Sequence, residues 1–259
     1  MPADDLTSAD KGRWLHVQVA FPHWDASGQA MAHAVGPMLD EVAEDWWFMR
    51  KYPCWRIRVH DAPPGAVEGT LGKAEADGLI SGWQPGIYEP EEYAFGGPAG
   101  IHIAHQLFCA DSRAVLDYLR RDAPQVPKRE VSLLLVGAIL NAAGLDSFER
   151  GDVYSRIAAL RPSPPDAADR MARLTRQVQT LLSVSPAPTL QAMFAAPWLA
   201  AFENAGRSFA QAAGEGRLER GPRAILAHVV IFHWNRLALD ATTQGILARA
   251  ARAVYLPAE

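Results

Sequence analysis

The chain has 259 residues, 49% of them hydrophobic and 21% charged, with a formal net charge of −4 at pH 7. That balance excludes a disordered or fibrous chain and supplies enough apolar residues for one large core or two small ones closely packed. The negative charge excludes a protein that holds nucleic acid through bulk electrostatics.

In chain order, residues 14–22 (WLHVQVAFP) alternate Leu15, Val17 and Val19 against His16 and Gln18, which predicts a half-buried strand. Residues 27–43 carry Met31, Val35, Met38, Leu39 and Val42 at helical spacing, with Ser27 placed as the cap. Two strands then flank the short link Tyr52-Pro53-Cys54. Residues 61–86 hold Pro63, Pro64, Gly65, Gly69, Gly72, Gly78, Gly82, Pro85 and Gly86, so mostly loop is expected there, with a short helix near Lys73 and the role of a mobile lid. A weaker fourth strand is expected over residues 83–88, before Gly96-Gly97-Pro98 breaks the chain ahead of a helix.

From there the pattern is helical, over residues 99–109, 112–121, 130–143, 151–160, 167–182, 197–213 and 222–240, with a final piece to 254. Breaks fall at RPSPPDA (161–167) and SVSPAPT (183–189), neither of them long or polar enough for a free linker. The fold class is therefore α+β: an N-terminal antiparallel sheet with one or two helices, packed against a mostly helical C-terminal half. The chain is expected to be a single domain, 1–259, with residues 1–95 sheet-rich and 96–259 helical.

Cys54 and Cys109 are too few for a disulfide framework, and the start MPADDLTSADKGR is acidic where a signal peptide is basic and then apolar. No run reaches the ~20 apolar residues that span a bilayer, the best candidate being broken by Gly137 and Asn141. A cytoplasmic protein with no membrane partner is expected. GxGxxG after a strand, GxxxxGK[ST], GxSxG and HExxH are all missing, which removes dinucleotide, P-loop, hydrolase-elbow and zincin chemistry from view.

Chemistry is concentrated first in DWWFMRKYPCWRIRVH, residues 45–60. Its second half sets Trp55, Ile57 and Val59 on one side and Arg56, Arg58 and His60 on the other. Side chains two apart on a strand sit roughly 7 Å apart, a spacing at which two guanidiniums grip one carboxylate or phosphate. The competing account makes these three solvated residues on the open face of a sheet.

His102, His105 and Cys109 in IHIAHQLFC, with Asp111 beyond, share a helix face and offer a zinc-like donor set. No second pair completes a tetrahedral site, and Ile101, Ile103, Ala104, Leu107 and Phe108 wrap the helix, so a buried histidine and an inert cysteine are expected and no metal. In AHVVIFHWNRLAL, residues 227–239, the polar His228, His233, Asn235 and Arg236 sit among apolar neighbours and need partners. His233 and Arg236 face the same way, as an acid/base and an anion partner would; alternatively Asn235 and Arg236 tie the helix down by hydrogen bonds.

The series WWFMRKYPCWRIRV, YEPEEYAFGG, LFCADSR, HVVIFHWNRLAL and TQGILARAA, spread over residues 14–254, resembles the thiopeptide-type bacteriocin biosynthesis proteins. These are similar to the C-terminal, glutamate-eliminating domain of class I lanthipeptide dehydratases. The resemblance implies a lyase that needs no cofactor and removes glutamate from glutamylated Ser or Thr of a precursor peptide, leaving dehydroalanine or dehydrobutyrine. Its implied partners are that peptide, leader plus glutamylated core, and a separate glutamyl-transferring dehydratase subunit, with no direct nucleic acid; a homodimer is compatible with it. The family's arginine pair falls on Arg56 and Arg58, and its C-terminal histidine near His233 or His228, with His105 as a further candidate. Substrate contacts are expected at His60, Arg236, Asn235 and Tyr93. Ala94 stands where many members have an arginine, and Ile231 where the dehydratase domains have the histidine. A sister activity on the same fold is pyridine synthesis, a formal 4+2 cycloaddition of two dehydroalanines with leader release. A non-catalytic leader-binding module, pairing the peptide with a sheet edge, is the alternative of another class.

Overall fold

Alternation of apolar and polar residues in two stretches, 15–19 and 55–60, lets a sheet bury the apolar side of both strands on one face. A computed structural model, which describes residues 14–121, 126–162, 168–183 and 195–256, shows that sheet. Its strands are β1 (Trp14–Ala20), β2 (Asp45–Lys51), β3 (Cys54–His60) and β4 (Gly82–Gly86), all antiparallel and ordered β2-β3-β1-β4. The polar start before Trp14 and the breaks read at 163–167 and 184–189 lie outside the described residues.

The described residues form two compact units. The first takes in residues 14–90 and 108–121. One sheet face in it presents Val17 and Val19, Trp46 and Phe48, and Trp55, Ile57 and Val59, all fully buried. Met31, Ala32, Val35 and Leu39 add to this core from the helical run α1 (Ser27–Ala30), a five-residue π segment (Met31–Val35) and α2 (Gly36–Asp40). Ser27 is not the cap that the sequence suggests: its buried hydroxyl donates to the Trp24 carbonyl at 2.6 Å and accepts from the Trp55 indole at 3.0 Å. β2 and β3 are joined by Tyr52-Pro53, whose peptide bond is cis.

The short helix expected near Lys73 is α3 (Ala66–Ala76), which runs for 11 residues of a stretch expected to be mostly mobile loop, and its Val67, Leu71 and Ala74 are buried. Burial of those three side chains outweighs the helix-weakening Gly69 and Gly72, each worth about 1 kcal/mol against alanine. β4 occupies a sheet edge, where Pro85 costs no ladder hydrogen bond.

The second unit comprises residues 91–107 and the described residues from 126 onward. After α4 (Glu92–Phe95) and two glycines at positive φ, Gly96 and Gly97, come α5 (Pro98–Leu119), α6 (Lys128–Ala142), α7 (Ser147–Ala159), α8 (Ala168–Ser183), α9 (Ala196–Gly214), α10 (Pro222–Arg236) and α11 (Ala241–Tyr255). α5 is one helix of 22 residues, where the sequence suggests two, over 99–109 and 112–121; its part from Phe108 onward belongs to the first unit. Ser112, expected to begin a second helix, lies within α5 and accepts at 3.1 Å from the Phe48 amide, a donor on the outer edge of β2. α6 and α9 approach so closely at Gly206 that a side chain there would meet the Ile139 carbonyl. α7 opens on a capping box, Asp146 with Glu149, and α11 on Asp240, which accepts from the Thr243 amide at 2.8 Å. No helix among the described residues is long and apolar enough to cross a membrane.

Candidate functional site

In the first unit, register decides which side chains share the face opposite the core. Arg58 lies directly across from His16 on β1 and from Trp47 on β2, and Arg56 from Gln18 and Met49. Directly opposed residues of an antiparallel pair have Cβ atoms about 5 Å apart, so Arg56, Arg58, His16 and Gln18 form one polar patch on a rigid support. His60 continues the row opposite Trp14 and Asp45, and its Nδ1 is 3.4 Å from the Asp61 carboxylate.

The two arginines are held differently. Arg58 is 9% exposed, with its guanidinium 4.5 Å from the Trp47 ring centre and 5.6 Å from that of Tyr88, and it donates to the Arg56 carbonyl at 3.2 Å. Cation–π contact and that hydrogen bond fix its direction. Arg56 is half-buried, and its guanidinium makes no hydrogen bond or ion pair among the described residues. One cation is therefore anchored and its neighbour is uncommitted.

The sequence does not mark His16 as a site residue; its only sign there is that it alternates with Leu15 and Val17. Its Nδ1 donates to the Ile87 carbonyl at 3.0 Å. Burial pushes its pKa below the ordinary histidine value; the Ile87 hydrogen bond pulls it up, and the Arg58 and Arg56 charges push it down again.

In the second unit the sequence's candidates meet different fates. His233 has no exposed surface and lies edge-on to Trp198 and Phe202, with ring centres 6.0 and 4.9 Å away. Arg236 is also fully buried. The Asn235 side-chain oxygen accepts at 2.8 Å from Gln244, which also donates to the Leu239 carbonyl at 2.7 Å and accepts from Arg161 at 2.7 Å. Trp234, between them, donates to Ser132 at 2.7 Å. His228 is half-buried beside Phe95, and its Nδ1 donates to the Ala224 carbonyl at 2.9 Å, which leaves Nε2 as the atom free to exchange a proton. His105 is buried on α5, 5% exposed. Tyr93 on α4 is exposed, with the Arg220 guanidinium 5.4 Å from its ring centre. Arg220 also donates to the Ala94 carbonyl at 3.4 Å, so this motif has a cation beside it although residue 94 is alanine. Among the described residues no three His, Cys, Asp or Glu side chains are grouped as a metal ion would require, His102, His105, Cys109 and Asp111 included.

A family model described as lantibiotic biosynthesis dehydratase C-term matches residues 14–255. The chain belongs to that family. The lantibiotic dehydratase C-terminal fold is shared with solved structures of low identity. One is the tRNA-dependent lantibiotic dehydratase MibB from Microbispora sp. 107891, with TM-score 0.66, 20% identity, and coverage of 93% of this chain but 28% of MibB. Another is TsrL, with TM-score 0.65, 16% identity, and coverage of 93% and 97%. A third is TbtD, a pyridine synthase from thiomuracin biosynthesis, with TM-score 0.63, 15% identity, and coverage of 94% and 97%. The chain thus spans little more than a quarter of MibB and nearly all of TsrL and TbtD. No curated protein matches it in sequence.

Proposed function

We propose that this member of the family is a peptide-modifying lyase, eliminating glutamate from glutamylated Ser or Thr of a ribosomally made precursor peptide. The observation that carries the reading is Arg56, an uncommitted, half-buried guanidinium on a rigid strand beside the anchored Arg58. A carboxylate is the group such a pair binds best, because planar forks match its two oxygens. In the reaction a base takes the Cα proton, the freed electron pair becomes the Cα=Cβ bond, and the Cβ–O bond breaks with its electrons departing on the glutamate carboxylate. Arg56 and Arg58 hold the glutamyl carboxylate and stabilise the charge that grows as the group leaves. By the family likeness alone the proton transfer falls to a C-terminal histidine, and of the two candidates His228 keeps an uncommitted Nε2 whereas His233 has no exposed surface. His60 and Tyr93 are assigned to peptide binding, and this chemistry calls for no cofactor. The partners are the precursor peptide and a separate glutamyl-transferring subunit.

A second reading, cycloaddition of two dehydroalanines to a pyridine, is favoured by the near-complete coverage of TbtD. It gives the arginine pair no carboxylate to hold, which is why elimination is preferred. Incubating the protein with a glutamylated precursor and, separately, with a fully dehydrated one separates them by mass spectrometry. Loss of glutamate from the first supports elimination; ring formation with leader release from the second supports cycloaddition. Binding of leader peptide with neither product would leave a binding module.

A further inference from the structure

Gly86 on β4 lies opposite His16, and a Cβ there would come within 3.2 Å of the imidazole Nδ1. The missing side chain lets the ring lie over β4 and reach the Ile87 carbonyl, which can only accept. Nδ1 therefore carries a proton. His16 is 8% exposed, and its Nε2 is buried with no hydrogen-bond partner among the described residues. A buried acceptor left without a donor costs stability, so one kept in a polar patch calls for an explanation.

The groups facing His16 narrow what can fill the gap: Arg58 directly opposite on β3, Arg56 beyond it, and the bare Gly86 on β4. Two cations beside a buried ring, Arg58 anchored and Arg56 next to it, oppose a second proton on it, so Nε2 stays a lone pair. That lone pair needs an N–H or O–H donor, while Arg56 beside it makes no hydrogen bond or ion pair among the described residues and so has room for an anion. One ligand satisfying both carries a carboxylate and a donor a few bonds apart, as an α-amino acid does.

We infer that His16 is a specificity-determining residue that accepts a hydrogen bond from the ammonium of the glutamyl group whose carboxylate Arg56 and Arg58 hold. This rests on the elimination reading for the identity of the amino acid. The segment that sets the tautomer through Ile87 also lays Tyr88 over Arg58, so the same few residues govern both halves of the patch.

The test uses L-glutamate and glutarate, which differ only in the amino group, as probes of the whole protein. Nitrogen-15 NMR of the histidine rings is expected to show His16 protonated on Nδ1 at pH 7, with its Nε2 resonance shifting on addition of glutamate and not of glutarate. Glutamate should bind about tenfold to a hundredfold more tightly, the range for one hydrogen bond to a charged group. His16→Ala should abolish that preference, and His16→Gln, which keeps an acceptor, should restore part of it. A proton on Nε2, equal binding of the two probes, or an unchanged preference in His16→Ala overturns the inference. Tight glutamate binding by a protein that releases none from a glutamylated precursor would instead overturn the elimination reading and leave the role of His16 standing.

Discussion

β3 and α10 each mix charged with apolar residues, and they use the polar ones in opposite ways. On β3 a period of two sends Trp55, Ile57 and Val59 into the core and leaves Arg56 with no hydrogen bond or ion pair among the described residues. On α10 apolar residues run all round the helix, so Arg236 and His233 are enclosed and Asn235 is taken up by Gln244. A polar side chain on a half-covered sheet keeps its chemistry for a ligand, whereas one inside a helical core spends it on the fold.

That contrast can be broken within α10 itself, where His228 is half-buried and His233 is not exposed at all. His228→Ala is expected to lower elimination by about 10²- to 10⁴-fold, the usual worth of a positioned acid/base, with little change in melting temperature. His233→Ala should do the reverse, losing stability to a cavity between Trp198 and Phe202. Stopped-assay mass spectrometry beside thermal melts decides it; a catalytic loss confined to His233→Ala would reverse the assignment.

A second test sharpens the structural side of the contrast. Gln244→Ala strips partners from Asn235, Leu239 and Arg161 together and should cost about 2 kcal/mol in a denaturant titration, while leaving turnover per folded molecule unchanged. Asp240→Ala, which removes only the cap of α11, should cost about 1 kcal/mol.

The smallest effect concerns pH on the sheet face. His16 has a folded pKa pushed below its ordinary 6.5, mainly by burial. The unfolded chain therefore takes up this proton first, so the fold loses stability as pH falls below about 6.5, and above that value the group contributes no slope. Denaturation midpoints at pH 7.5 and 5.5 should differ less in His16→Gln than in the wild type; an equal difference would mean that His16 is not held neutral.

The arginine patch was legible because a strand's period is short: seven residues already assign Arg56 and Arg58 to one face. His16 was not, because its importance depends on the register of β1 against β3 and on Gly86 of a third strand, neither of which is written locally. α3 was obscured by glycines whose cost is repaid only by tertiary burial, and the unbroken α5 by a Ser112 that serves a neighbouring strand edge instead of its own helix. The early start of α7 could have been read, since Asp146 and Glu149 stand at capping-box spacing three residues apart. On α10 the count of polar residues was plain, but which of them answer to Gln244 on the next helix was not.

The central claim is that Arg56 and Arg58 hold the glutamyl carboxylate. Its most direct test is the affinity of a precursor carrying a non-eliminable glutamyl amide, measured by isothermal titration for the wild type and for Arg56→Gln. Because Arg56 has no fold partner among the described residues, the variant should melt at the wild-type temperature and yet bind roughly a hundredfold more weakly, about 2.7 kcal/mol. Equal affinity in the two proteins would contradict the account.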